Sequence, residues 1–248
     1  MDELRNNTDV KELLDTLEAN GLYKEKGEVQ SLVDYIENME TTLFAMLEEI
    51  KSLHSDVSQI HDNGLRRKCE SIVHNAEGKI GHAILVVNTA KENFIKSASQ
   101  ALKTFKEKGK GALIGAVKAM RIPQALDNLK SCFEKFAASL ENEAKNLDKV
   151  RDELHEAGGH LKNAGRSFFG KSATEREALK SDKGILAFVR NVITKQSKQF
   201  EKFGKKAGEL SDRLRAAIVR DSVKSDLDSI KVKFPEIERM APDRAKDR

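Results

Sequence analysis

VQSLVDYIENMETTLFAMLEEIKSLHSDVSQI, residues 29–60, is the stretch that decides the fold. Within it Val29, Leu32, Ile36, Met39, Leu43, Met46, Ile50, Leu53, Val57 and Ile60 recur at alternating steps of three and four. That spacing keeps one apolar seam along a helix that packs side by side on another helix. Val33 and Leu47 lie next to the seam and make it wider than a two-stranded coiled coil needs. The wider stripe predicts a bundle with more than one neighbour, and it motivates a second copy of the chain as one of them.

Working outward, the heptad helix is predicted from about Glu28 to Asp62, closed by Asn63 and Gly64. Before it, Thr8 to Asn20 forms a short helix with Leu13, Leu14 and Leu17 on one face, and Lys24 to Gly27 reads as a polar linker. After it, an apolar row from Leu65 through Cys69, Ile72, Ala76 and Ile80 to Phe105 predicts a helix reaching about Lys108. Its mean step of about 3.6 residues is that of a nearly straight helix. The short link makes these two rods antiparallel neighbours. Gly109 to Gly111 breaks the second rod, and Ala112 to Ile122 forms a small helix closed by Pro123. A third long helix is predicted over about Gln124 to Phe168, with Leu126, Leu129, Phe133, Leu140, Leu147, Leu154 and Leu161 inward and weakened at Gly158-Gly159. Residues 170–183 form a polar break, in which Ser172 and Glu175 have capping-box spacing. A fourth helix runs from Gly184 towards Lys233, with Phe188, Phe200 and Phe203 available for packing, until Pro235.

The predicted fold is therefore all-α: an elongated antiparallel bundle of three to four long helices with coiled-coil-like packing. Its parts are a short helix and linker over 1–27, a long-helix bundle over 28–169, a linker over 170–183, and a basic helix with a frayed tail over 184–248 that packs on the bundle.

Composition supports long helices. In 248 residues there are 3 Pro and no Trp, and 34% of side chains are charged. Net charge is +4, too small to name a partner, but its distribution is uneven. Residues 1–62 hold 15 acidic and 5 basic side chains, whereas 63–121 hold 4 acidic and 12 basic. An acidic rod followed by a basic one predicts flanking ion pairs that set register more than stability. No apolar run approaches the roughly 18 residues of a membrane span, and the first residues lack a signal-peptide profile. Cys69 and Cys132 sit on helix seams as small apolar side chains. A cytoplasmic protein is expected.

The motifs are weak. Gly165-Arg166-Ser167-Phe168-Phe169-Gly170-Lys171-Ser172 matches the phosphate-loop string, in which backbone N–H groups, Lys171 and Ser172 would hold phosphates and Mg²⁺. Such a loop follows a strand, whereas the residues before Gly165 continue a helix, so a helix terminus is the better reading. His155 and His160 are five apart, about 140° around a helix, and do not face one ion. No Ser/His/Asp order has the necessary strand–turn–helix context. These absences predict a non-enzyme with no cofactor, no metal and no small-molecule substrate. The segment around Leu113, Ile114, Val117 and Met120 is cationic and amphipathic, so membrane contact is a possible use and capping of the bundle end is the favoured one. Residues 183–220 are basic but poor in stacking aromatics, which argues against nucleic acid.

Residues 9–15, the Leu32–Met39 region and the stretch from Glu153 to Arg166 together resemble an uncharacterised all-helical domain family of gut Firmicutes, often encoded on integrative mobile elements. The resemblance covers roughly residues 8–171, and the C-terminal helix departs from it most. It implies a helical fold and carries no catalytic residue with it. The function expected is a scaffold or interaction protein, contacting a protein partner or itself through helical surface such as Val29–Ile60. Membrane activity through residues 111–122 is the alternative, and nucleotide binding at 165–172 a distant third.

Overall fold

A computed structural model describes residues 3–168, 172 and 184–233, with side chains to Ala216. Among these residues every regular element is helical. After a short 3-10 turn at Leu4–Asn6 come α1 (Thr8–Ala19), α2 (Tyr23–Ser58), α3 (Asn63–Lys108), α4 (Lys110–Ala119), α5 (Ile122–Phe168) and α6 (Ile185–Lys233).

Helix ends follow local chemistry. The Asn7 side chain accepts from the Asp9 and Val10 N–H groups and opens α1. Gly21, at φ +68°, turns the chain out of α1, and the Leu22 N–H bonds back to the Leu17 carbonyl at 2.8 Å. Asp62 accepts from the Leu65 N–H at 2.8 Å and caps α3. Gly109, at φ +78°, ends α3 and begins α4. Pro123 sits in the first turn of α5, where its missing N–H has no helical partner to lose.

α2, α3, α5 and α6 form an up-down-up-down bundle, and cross-helix contacts fix its directions. Lys91 of α3 meets Glu40 of α2 at 2.9 Å. Asn75 meets Glu143 at 3.4 Å, and Lys68 lies 4.0 Å from Glu153, so α3 and α5 run antiparallel. Ser197 Oγ donates to the Ala137 carbonyl at 2.9 Å, and Arg190 Nε to Asp148 Oδ2 at 2.9 Å, so α5 and α6 do too. Tyr35 Oη donates to the Phe203 carbonyl at 2.6 Å, and Lys195 reaches Glu49 at 2.8 Å, closing the ring between α6 and α2. A 46-residue helix such as α3 gives the rod a length of about 69 Å. α1 covers the end where α3 finishes, with Lys106 paired to Glu12 at 2.9 Å.

The core is one continuous apolar cluster along this rod. Its aromatic centre is Phe133, Phe136, Phe200 and Phe203, with ring centroids 5.4–6.4 Å apart. α5 and α6 share the most extensive contact in the molecule, and two glycines bring them close. A Cβ on Gly204 would meet Glu134 Cγ at 3.3 Å, and one on Gly208 would meet Lys130 Cδ at 3.2 Å. Sequence reading did not single these glycines out.

Several expectations change. α2 begins at Tyr23, so Lys24 to Gly27 are helical and no linker precedes the heptads. It ends at Ser58, which leaves Ile60 beyond the helix and partly buried. Asn63 and Gly64 do not close a helix but form the first turn of α3, because Asp62 supplies the cap. Gly158 and Gly159 do not interrupt α5. Leu154 and Leu161, expected inward, are 47% and 79% exposed, and Phe188 is 48% exposed. The C-terminal helix packs on the bundle through side chains from Ala187 to Leu214, while Pro235 and the tail lie outside the described residues.

Candidate interaction surface

The seam that decides the fold faces the chain's own core. Val29, Leu32, Ile36, Met39, Leu43, Met46, Ile50, Leu53 and Val57 are at most 4% exposed. Val33 is fully buried, and Leu47 packs against the core. These side chains hold the bundle together and are not available to a partner, so the stripe width that motivated self-association on α2 is used inside the molecule. Leu113 and Val117 are buried as well, and Ile114 and Met120 pack on the core. The apolar side of α4 thus lies against the bundle end. No helix among the described residues is long and apolar enough to cross a membrane.

Of the phosphate-loop string, Gly165 to Phe168 are helical and Gly165 is exposed. Its first glycine therefore lies within a helix, not at the strand-to-loop turn that a phosphate cradle needs. Gly170 and Lys171 lie outside the described residues. The Ser172 carbonyl accepts from Arg166 Nε at 2.8 Å. Among the described residues no group of three or more His, Cys, Asp or Glu is placed to hold a metal ion. Burial pushes the thiols of Cys69 and Cys132 above the ordinary range, the opposite of an activated nucleophile.

Among the described residues, two apolar features at the surface stand out. One is a groove of about 400 Å³ between α3 and the start of α5, floored by Leu32 and Ile36. Its rim is neutral, with Thr89, Asn93, Ser97 and Asn128, and Leu85 stands 64% exposed beside it. The one titratable residue of its wall, His82, packs its ring 5.4 Å from that of Phe136. The groove holds no acid–base pair.

The other is the end of α5. Leu140 and Leu147 are buried at 0% and 1%, Val150 is half-buried, and then the same row emerges as Leu154, Leu161 and Phe168, with Phe168 86% exposed. The physical cause is a mismatch of helix lengths. α3 starts only five residues before Lys68, which lies beside Glu153, and α6 starts five residues before Arg190, which lies beside Asp148. Beyond about residue 158 α5 has neither helix alongside it. Ten further residues at 1.5 Å extend it about 15 Å past the bundle. Among the described residues, four of the six large exposed apolar side chains, Leu154, Leu161, Phe168 and Phe188, belong to this end of the α5–α6 pair. Sequence reading missed this surface, although the signal was present in the unequal lengths of the predicted rods.

Searches of curated proteins and of solved structures find no match. A family model matches residues 6–248, nearly the whole chain and the C-terminal helix with it, which extends the likeness well past residue 171. With this helical architecture, the chain belongs to DUF6674, a family of unknown function.

Proposed function

We propose that the protein is a non-enzymatic helical interaction protein that works by helix–helix association through the exposed end of α5. The observation that carries this is the rise in exposure along one heptad row, from 0% at Leu140 to 79% at Leu161. Leucines repeating at heptad spacing on an exposed helix suit a helix that takes a neighbour. The bundle acts as a rigid holder, with α5 anchored along α6 and its end held out.

A photo-crosslinking amino acid at position 161, introduced into the full chain in its native host, tests this. Adducts to polypeptide are expected at 161 and not at Gln100, an exposed polar position on α3. An absence of polypeptide adducts at 161 refutes the reading.

A further inference from the structure

We infer that the groove between α3 and the start of α5 binds a free, uncharged molecule made of a single hydrocarbon chain with a hydrogen-bonding end, a long-chain alcohol or primary amide. The groove lies at the opposite end of α5 from the surface proposed above and does not depend on it.

Three observations carry this. The first is shape. The His82 ring meets that of Phe136 on α5 and closes one end of the groove. From there the two helices part, and Met120, at the end of α4, lines the far end. The wall from His82 to Ser97 on α3 is about 20 Å long at the helical rise per residue. Leu32 and Ile36 close the floor at 4% and 1% exposure. About 400 Å³ is the size of a small-molecule site, and drawn out over that length it is a slot. A linear molecule fits it lengthwise. A helix, about 10 Å across with its side chains, is too wide to enter.

The second is charge. Of the sixteen residues that line the slot none is Asp, Glu, Lys or Arg, in a chain where 34% of side chains are charged. The lining is not neutral merely through burial, because His82, Leu85, Thr89, Asn93, Ala125 and Asn128 are exposed. An ionised guest would give up water there without gaining a counter-charge, so the complementary guest is neutral. The same lining offers nothing to hold the phosphate of a membrane lipid.

The third is the chemistry of the rim. The Thr89 and Ser97 hydroxyls donate to the Leu85 and Asn93 carbonyls at 2.9 and 2.8 Å, which leaves their oxygens to accept. The Asn93 and Asn128 amides add donors as well as acceptors. A hydroxyl or primary amide is donor and acceptor at once and suits both kinds of group. The apolar walls, with Val86 and Phe94 on one side and Leu126 and Leu129 on the other, take the chain.

Isothermal titration calorimetry of the full chain with 1-decanol tests this. One molecule should bind per chain, with a Kd of roughly 10 to 100 µM. 1-Octanol, two methylenes shorter, should bind about tenfold more weakly. Decanoate and decylammonium at neutral pH keep the chain and add a charge, and each should bind at least about tenfold more weakly than decanol. Adamantanemethanol, a compact alcohol of similar carbon content, should also bind more weakly. Ala125→Leu places a larger side chain in the slot at an exposed position, and should weaken decanol by at least about tenfold without lowering the urea midpoint. Ala90→Leu, on the facing wall, should weaken it likewise, so the result does not rest on the fold of one variant. Absence of saturable binding overturns the proposal. So does decanol binding that neither variant weakens, or an ion or cage alcohol that binds as tightly as decanol. A photo-crosslinking amino acid at position 93, in the native host, reports the other occupants: adducts to polypeptide, of this chain or another, would mean that protein fills the slot and would overturn the proposal too.

Discussion

Tyr35 is 1% exposed and donates its hydroxyl proton to the Phe203 carbonyl across the α2–α6 interface. Burial pushes its pKa well above the ordinary tyrosine range. A raised folded-state pKa means that the stability from this group is fully present below about pH 10, the unfolded value, and falls as pH rises beyond it. Tyr35→Phe should lower stability by about 1 kcal/mol at neutral pH. It should also flatten the loss above pH 10 relative to the parent. Urea midpoints of both proteins between pH 7 and pH 11 measure this; parallel curves would show that the hydroxyl is not held protonated. Arg121 makes a different prediction. It links α4 to α5 at φ +50°, a left-handed conformation that strains a side-chain-bearing residue. Arg121→Gly relieves that strain, partly offset by the greater freedom of glycine in the unfolded chain. It should therefore raise stability by about 0.5 kcal/mol. A lowered urea midpoint would show that the guanidinium contributes more than its backbone costs.

Periodicity reports which side of a helix is apolar, and so the seam of α2, the antiparallel order and the all-helical class were legible in Val29–Val57 and the rows that follow. It does not report where a neighbouring helix stops. Leu140, Leu147, Leu154 and Leu161 are indistinguishable as a pattern, yet the first two are core and the last two are surface. The start of α6 at Ile185 and of α3 at Asn63 makes that difference, and a periodic row by itself does not say which of its residues lie beyond those starts. The α3–α5 groove was hidden for a similar reason, since it opens where Ala90 and Ala125 are too small to fill the space between two separated helices. The contrast within one row is testable. Leu140→Ala leaves a cavity among buried side chains and should cost about 2–4 kcal/mol. Leu161→Ala, measured at a concentration where the chain is monomeric, should change stability by less than about 0.5 kcal/mol. Equal losses in chemical denaturation would mean that the end of α5 is packed within the chain.

The uneven charge of the whole chain turns into contacts between rods. The acidic α1 and α2 face the basic α3 through Glu12–Lys106 and Glu40–Lys91, and Glu49 of α2 reaches Lys195 of α6. These pairs differ in environment. Lys106 and Glu12 are 65% and 43% exposed, so water screens them and either can be lost for less than about 0.5 kcal/mol. Lys91 and Glu40 are only 14% and 12% exposed, 2.9 Å apart and set between α2 and α3. Removing Lys91 there strands the Glu40 carboxylate away from water. Lys91→Met should therefore cost about 2 kcal/mol, and Glu40→Leu less, because the Lys91 ammonium keeps Glu37 nearby. Removing both replaces a desolvated pair with apolar packing, so the double variant should recover to within about 1 kcal/mol of the parent. Four urea curves complete the cycle, and a double variant as weak as the sum of the singles would contradict it. Recovery would mean that the pair sets which edge of α3 lies against α2 and adds little to the bundle's net stability. Aliphatic rows would then carry the free energy of the rod, and charge would choose among the ways those rows could be matched.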